Sequence, residues 1–494
     1  MVGLIDYLNS KKIIIWGIGA IQKDMEYLFP GLHIWGYIDD RLEEKKGRIP
    51  DVLPENILPV DYLTASVKDS VIVIICEQEK GRIMNILNQK GYSENENFIL
   101  YDRLLYEYPT DSFVRRFLNS RVIMWGAGVS FDNYEKPVID NTQGIDYIID
   151  VSAKEPGEYK SYKKLPVKEG LSERDNRPII VASTYYSIIS DQLEEEGLIP
   201  GVDFIYCDTF FILCYYLHLY DYIDYKFVNR SRECEYLLVV LAGYKPDLWK
   251  EVSDRIEKYV PSNCDVCILS SGKDPKYLED DCERNNWSYL STKDNKISLI
   301  ENLAFYLHKN AEWIIKMDED IFITENAIST MVRTYEEVQK KSMYSVGFVS
   351  PLINVNTYGY TVALNDKKRR EAWERKFGEL KLTNGLNHHT RIADDPEAAA
   401  FLWDEIDFDE YSRVNGNSVK YSICPSRYSI GMILFNRETW IDMKLFPDGH
   451  GNTLGMDEEH FCFYCMMHGK AMVIAESTMV GHWGYREQKR PYKC

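Results

Sequence analysis

The sequence predicts an α/β protein in three modules: two copies of a small parallel-sheet unit over 1–108 and 109–232, and a larger α/β domain over 233–494. Three observations point there. At 494 residues the chain exceeds what one hydrophobic core covers, and 45% hydrophobic content is enough for several. Apolar runs rich in β-branched residues alternate with helix-like segments, the signature of strand–helix–strand units. The amino-terminal half also repeats itself in fixed order. KKIIIWGIGA (11–20), WGYIDD (35–40), Leu58-Pro59-Val60, VIVIIC (71–76) and GYSENENFILYD (91–102) return as RVIMWGAGV (121–129), IDYIID (145–150), Leu165-Pro166-Val167, PIIVAS (178–183) and GLIPGVDFIYCD (197–208).

Each copy opens with a strand, a Gly-x-Gly turn and a helix. Such a turn lets a phosphate approach a helix N-terminus, and an acid ending the second strand can bind a ribose. Gly17, Gly19 and Asp39 hold these places in the first copy, and Gly126, Gly128 and Asp150 in the second. The third glycine of the dinucleotide fingerprint is missing: Gln22 stands there in the first copy and Ser130-Phe131 in the second. No Tyr-x-x-x-Lys dyad follows in a dehydrogenase-like setting. The copies therefore read as Rossmann-like modules serving as scaffold, acceptor-recognition or oligomerisation units. They resemble the degenerate nucleotide-binding modules at the front of bacterial sugar acyltransferases and nucleotide-sugar enzymes, through WGxG, then GYIDD, then a Pro-Val step.

Residues 211–234, rich in Tyr and apolar side chains before turning polar, suit a helix followed by a short linker, with the boundary near Arg230–Cys234. The third module then lays down strands YLLVVLAGY (236–244) and DVCILSSG (265–272), an amphipathic helix from Ile297 to His308, and the strand Trp313–Lys316. Met317-Asp318-Glu319-Asp320 closes that strand ahead of a second, Ile321–Ile323. Acids at alternate positions of a strand edge project together, where oxygen can hold a hard divalent cation. A Mg²⁺ or Mn²⁺ held by one or two carboxylates completes its shell with substrate phosphates, so a nucleotide diphosphate is the expected partner. In a parallel sheet the ligand lies beyond the carboxyl ends of the strands, which puts Ala242, Gly243 and Ser271 beside the acids. Further on, Asp457-Glu458 opens an apolar helix running to Gly469. A strand from Ala471 to Ile474 then leads to a glycine-flanked, mobile-looking tail holding His482, with Arg486, Lys489 and Arg490 placed to close over a diphosphate.

In this layout residues 235–494 resemble a GT-A glycosyltransferase of the family-2 type. The resemblance rests on the two strands, the DED triplet, the acceptor-side segment SIGMILFNRETW and the acidic helix start. It implies Asp320 as metal ligand, Asp318 on ribose or metal, His482 as a further metal ligand, and an acid of the pair Asp457/Glu458 as the base that deprotonates the acceptor. The family's Glu-Asp followed by Leu and Arg reads here as Asp457-Glu458, then Phe461 and Tyr464, which leaves the identity of the base open.

A formal charge of −19 disfavours nucleic acid and anionic membranes as partners. No signal-like start and no bilayer-length apolar run stand in the sequence, so a cytoplasmic place is expected, with peripheral attachment at the inner membrane face left open. The 11 cysteines are scattered, and Cys462-x-x-Cys465 falls inside a helix, as core thiols do. Residues 365–420, charged and without strand pattern, read as an inserted helical or lid-like acceptor segment.

The expected function is metal-dependent transfer of a sugar from a nucleotide-diphosphate donor, UDP-linked for preference, to a hydroxyl of a glycan, lipid-linked or protein acceptor, with inversion. The alternatives are a nucleotide-binding scaffold or NAD(P)-dependent oxidoreductase acting through the repeats. A nucleotidyltransferase would need a glycine-rich basic loop that the sequence lacks.

Overall fold

The computed structural model describes residues 4–45, 54–77, 80–94, 96–107, 111–221, 224–341, 343–380, 392, 395–447 and 456–483. The chain divides into two compact units, Met1–Tyr222 and Ile223–Cys494.

The first unit holds two sheets of matching order. In one, β1 (Lys12–Trp16), β2 (Ile34–Ile38), β3 (Val71–Ile75) and β4 (Phe98–Leu100) are all parallel in the order β2-β1-β3-β4. In the other, β5 (Val122–Trp125), β6 (Ile145–Ile149), β9 (Ile179–Val181) and β10 (Phe204–Tyr206) take the same relative places. There β7 (Gly157–Tyr159) and β8 (Tyr162–Leu165) extend the edge beyond β6. The repeat read in the sequence is thus a repeat of topology. Central strands β1, β3 and β5 are buried along nearly their whole length, which is why they read as continuous apolar runs and not as alternating ones.

The paired turns are built alike. Gly17 and Gly126 have φ of +110° and +108°, and a Cβ on either would stand 2.7 Å from the carbonyl oxygen of Cys76 or of Ala182. The first glycine of each pair is therefore fixed by the close passage of the turn over the end of the third strand. The second glycines, Gly19 and Gly128, meet no such neighbour where Gly128 stands, and both cap the helices Ala20–Leu28 and Val129–Asn141.

The second unit is built on one mixed sheet. Its strands are β11 (Tyr225–Val228), β12 (Tyr236–Leu241), β13 (Cys264–Ser271), β14 (Ser288–Thr292), β15 (Trp313–Asp318), β16 (Ile321–Phe322), β17 (Ser345–Ile353), β18 (Tyr421–Ile423), β19 (Met432–Asn436) and β20 (Lys470–His482). They run in the order β11-β14-β13-β12-β15-β19-β17-β20-β16, with β18 against β20. Strands β14, β13, β12 and β15 are mutually parallel, and β19 joins β15 antiparallel. The sheet begins earlier than residue 233, because β11 pairs antiparallel with β14 along Tyr225–Val228. The helix and short linker expected over 211–234 put no strand there; Tyr225–Val228 is instead an edge strand, with Lys226 exposed between the half-buried Tyr225 and Phe227.

The described part of residues 365–420 is built around the helices Lys367–Phe377, Pro396–Glu405 and Phe408–Asn415. Among the described residues no helix is long and apolar enough to cross a membrane. Cys462 and Cys465 are buried free thiols in the helix Met456–Met467, packed as core residues.

Candidate functional site

β12 sits beside both β13 and β15, and the chain leaves it first toward β13 and β14 and later returns on the other side as β15. The carboxyl ends of β12 and β15 therefore flank the point where the winding reverses, the place where parallel sheets hold ligands. Leu241 of β12 is in register with Asp318 of β15, so the loop after Leu241 faces the acidic triplet directly.

The three acids do three different things. Asp318 ends β15 on the same face as Lys316, two residues back, and its Oδ1 accepts from the Lys316 ammonium at 3.1 Å. Glu319 turns the other way and accepts from the backbone N–H of Gly243 at 2.8 Å and of Tyr244 at 2.9 Å, tying the two loops together. Gly243 is needed there: at φ +111°, its Cβ would lie 2.9 Å from Ser270 Oγ. Asp320 is buried and its Oδ2 meets the Lys245 ammonium and, at 3.2 Å, His482 Nε2. Asp318 and Asp320 thus leave a tight turn rather than one extended strand edge.

His482 lies in no mobile tail. It is the last residue of β20, in register with Ile321 of β16, and that pairing brings its ring to Asp320. Its N–H donates to Asn354 Oδ1 at 2.7 Å, and Asn354 Nδ2 donates back to its carbonyl at 3.3 Å. The Trp483 N–H closes the arrangement on the Asp320 carbonyl at 2.9 Å.

Burial would raise the Asp320 carboxyl, but His482 and Lys245 outweigh it, and Asp320 is held below the ordinary carboxylate range. For His482 burial favours the neutral ring, yet Asp320 prevails and its pKa is raised. Burial pushes Asp318 up, against the pull of Lys316, with Asp320 adding to the rise.

The acids of the helix Met456–Met467 part company. Asp457 Oδ2 lies 3.3 Å from the Lys316 ammonium, so Asp318 and Asp457 share one cation. Glu458 accepts from Arg427 Nε at 2.6 Å and from the Ile430 N–H at 3.3 Å, and its pKa is raised by burial in spite of Arg427. Glu458 thereby fixes the segment that enters β19.

Ala242 and Ser271 are buried walls of the site. The Ala242 N–H donates to the Leu269 carbonyl at 2.8 Å, and Ser271 Oγ accepts from the Lys296 N–H at 2.8 Å. The outward face here belongs to Tyr244. Its ring is partly exposed, its hydroxyl donates to the Ser271 carbonyl at 2.6 Å, and the Lys273 ammonium stands 3.9 Å from the ring centroid. Arg486, with Lys489 and Arg490, lies outside the described residues.

In the first unit Asp39 accepts from the Ile18 N–H at 2.8 Å, the Arg41 N–H at 2.9 Å and the Lys45 ammonium at 2.5 Å. Asp150 accepts from the Ala127 N–H at 2.7 Å and the Ser152 N–H at 2.8 Å. Both acids fasten the residue between the paired glycines, a bond internal to the turn. Sequence reasoning missed Lys245, Lys316, Glu301, Asn354 and Arg427. A lone lysine inside a buried strand run was the available signal for Lys316.

Among the described residues no three His, Cys, Asp or Glu side chains gather as a ready set of metal ligands. Asp320 and His482 touch, while Asp318 turns an oxygen to Lys316.

No family model matches the chain, and no curated protein matches it. Solved structures do. Glucosyl-3-phosphoglycerate synthase from Mycobacterium tuberculosis, in complex with Mn²⁺, UDP and glucosyl-3-phosphoglycerate, is 12% identical, with 52% of this chain and 73% of that one covered and a TM-score of 0.29. The same enzyme with Mg²⁺ and UDP is 13% identical over the same shares, again at 0.29. A score this low carries nothing about the chemistry of this chain.

Proposed function

We propose that residues 223–494 are a metal-dependent glycosyltransferase that moves a sugar from a nucleotide-diphosphate donor, UDP-linked for preference, to an acceptor hydroxyl with inversion. The observation that carries this reading is that Asp457, far along the chain from the triplet of Asp318 and Asp320, comes to the carboxyl end of β15 and shares Lys316 with Asp318. The resemblance of the sequence to GT-A enzymes assigns chemistry to the same residues.

Asp320 and Asp318, with His482 beside Asp320, would hold Mn²⁺ or Mg²⁺. The donors fit such an ion: hard carboxylate oxygens, one of them kept ionised, and fewer than a full shell, as suits a cation that shares itself with phosphates. When bound, the ion neutralises charge on the leaving diphosphate. Lys245, at the same carboxylate, adds a second positive charge at the mouth of the site. The exposed face of Tyr244 supports stacking of a base, with Gly243 allowing close backbone approach. Asp457 takes the proton of the acceptor hydroxyl as the hydroxyl oxygen bonds to the anomeric carbon and the sugar–phosphate bond breaks, the electron pair leaving with the diphosphate. Asp457 is preferred over Glu458 because it faces Lys316 and Asp318, whereas Glu458 is engaged by Arg427 and the Ile430 N–H. A surface glycan, glycolipid or glycoprotein is the acceptor class, and the amino-terminal modules serve acceptor recognition or self-association.

Ligand binding to the native state raises its melting temperature. UDP is expected to do so only with Mn²⁺ or Mg²⁺ present, and Asp320→Ala to lose the response while melting as a folded protein. A metal-independent response, or one to NAD(P) alone, would overturn the reading.

A further inference from the structure

Lys316 is an unusual residue for its place. It lies in the middle of β15, in register with Val239 of β12 and Ile433 of β19, with only 3% of its surface exposed. A buried ammonium is costly unless charges and hydrogen bonds surround it. Three carboxylates do so here, each from a different element: Asp318 from the end of β15 at 3.1 Å, Asp457 from the start of the helix Met456–Met467 at 3.3 Å, and Glu301 from the helix Ile297–Leu307 at 3.4 Å. Glu301 is wholly buried and Asp457 is 7% exposed.

The elements that carry Asp318 and Asp457 share no strand pairing, and the helix of Asp457 begins far along the chain. A common counter-ion is what sets one acid against the other. Without it, two carboxylates buried side by side would repel and move apart. Glu301 approaches the ammonium as a third partner on the helix Ile297–Leu307. Its carboxyl oxygens, buried without a hydrogen-bond partner among the described residues, have the ammonium at 3.4 Å as their nearby cation.

We propose that Lys316 is a positioning residue of the transfer reaction: its ammonium, anchored by Glu301, fixes Asp457 beside Asp318 so that the base meets an acceptor at the sugar held by the nucleotide site. The proposal rests on the transferase reading above and assigns the lysine no contact with substrate. Its effect passes through Asp457.

A double-mutant cycle tests that route, because residues acting as a unit are non-additive. Lys316→Met, Asp457→Asn and the double variant are compared for hydrolysis of UDP-glucose, UDP-galactose and UDP-N-acetylglucosamine, where water replaces the acceptor. UDP affinity with Mn²⁺ is measured by calorimetry. Each single change is expected to lower kcat by about a hundredfold, the scale of a lost general base. In Lys316→Met the loss of kcat exceeds any loss of UDP affinity passed on through Asp318, and the double variant is within about twofold of Asp457→Asn alone. If Lys316→Met fails to fold by circular dichroism, Glu301→Gln/Lys316→Met, which removes both members of that buried contact, takes its place in the cycle.

Wild-type kcat in the Lys316 variant overturns the proposal. So do equal losses in both backgrounds, or a loss of UDP affinity with kcat kept. A wild-type protein that binds no UDP with Mn²⁺ fails at an earlier step, and overturns the transferase reading and this role together.

Discussion

Asp457 and Glu458 are neighbours in sequence with opposite surroundings, and the difference predicts different losses. Asp457 faces Lys316 and Asp318, so Asp457→Asn should lower kcat by about a hundredfold or more while UDP affinity changes little, and the loss of one partner of the buried Lys316 lowers the melting temperature as well. Glu458 holds Arg427 and the Ile430 N–H, so Glu458→Gln should act on stability, by about 1–3 kcal/mol for a buried charge-assisted bond, and spare turnover. Turnover rates and melting curves of the two variants decide it, and a Glu458→Gln variant that is stable but inactive would exchange the roles. The sequence placed both acids at the helix start but could not separate them. What separates them is Lys316 and Arg427, one in β15 and one just before β19, and neither is near residue 457 in sequence.

Elements were more legible than their partners. The continuous apolar strands, the Gly-x-Gly turns and the repeat could all be read, since each rests on local pattern. Burial of Lys316 and Glu301 could not, because both sit inside apolar runs whose charged member looks like a surface position. In Ile297–Leu307 the buried stretch Leu299–Tyr306 includes Glu301 and Asn302, so the helix has no polar face there to betray the exception. The placing of His482 in a mobile-looking tail missed a non-local fact of another kind: only the register of β16 on β20 makes it a strand residue beside Asp320.

A second buried acid lies between elements of the first unit. Asp24, on the helix Ala20–Leu28 of the first repeat, accepts from the Tyr186 hydroxyl of the second at 2.8 Å and from Tyr101 at 3.3 Å. Burial raises its pKa to about 6 in spite of these bonds. A carboxyl whose folded pKa exceeds its unfolded one binds more protons when folded, so its contribution to stability falls as pH rises from about 4 to about 6. The loss amounts to about 3 kcal/mol, complete above the folded pKa. Asp24→Asn should remove that dependence. Urea unfolding of variant and wild type is compared at pH 4 and pH 7, and a difference between them that does not change with pH would show that Asp24 titrates normally.

At the scale of the whole molecule, the two compact units and the early start of the C-terminal sheet make a prediction about where the chain can be cut. Each unit carries its own sheets, and the acids of the site all lie between Glu301 and His482, so residues 223–494 should fold alone and bind UDP with Mn²⁺ as the full chain does. A cut at the polar linker expected from sequence, leaving 231–494, removes β11. That strand covers the edge of β14 from Tyr225 to Val228, and the Arg230 N–H and guanidinium bond Ser288 Oγ and the Trp287 carbonyl, each at 3.0 Å. Without it β14 becomes an exposed edge with unpaired backbone groups, which invites association between chains. The shorter fragment should therefore melt lower and aggregate, as read by circular dichroism and light scattering, while 223–494 stays monodisperse. Equal behaviour of the two fragments would mean that β11 contributes nothing to the sheet it borders.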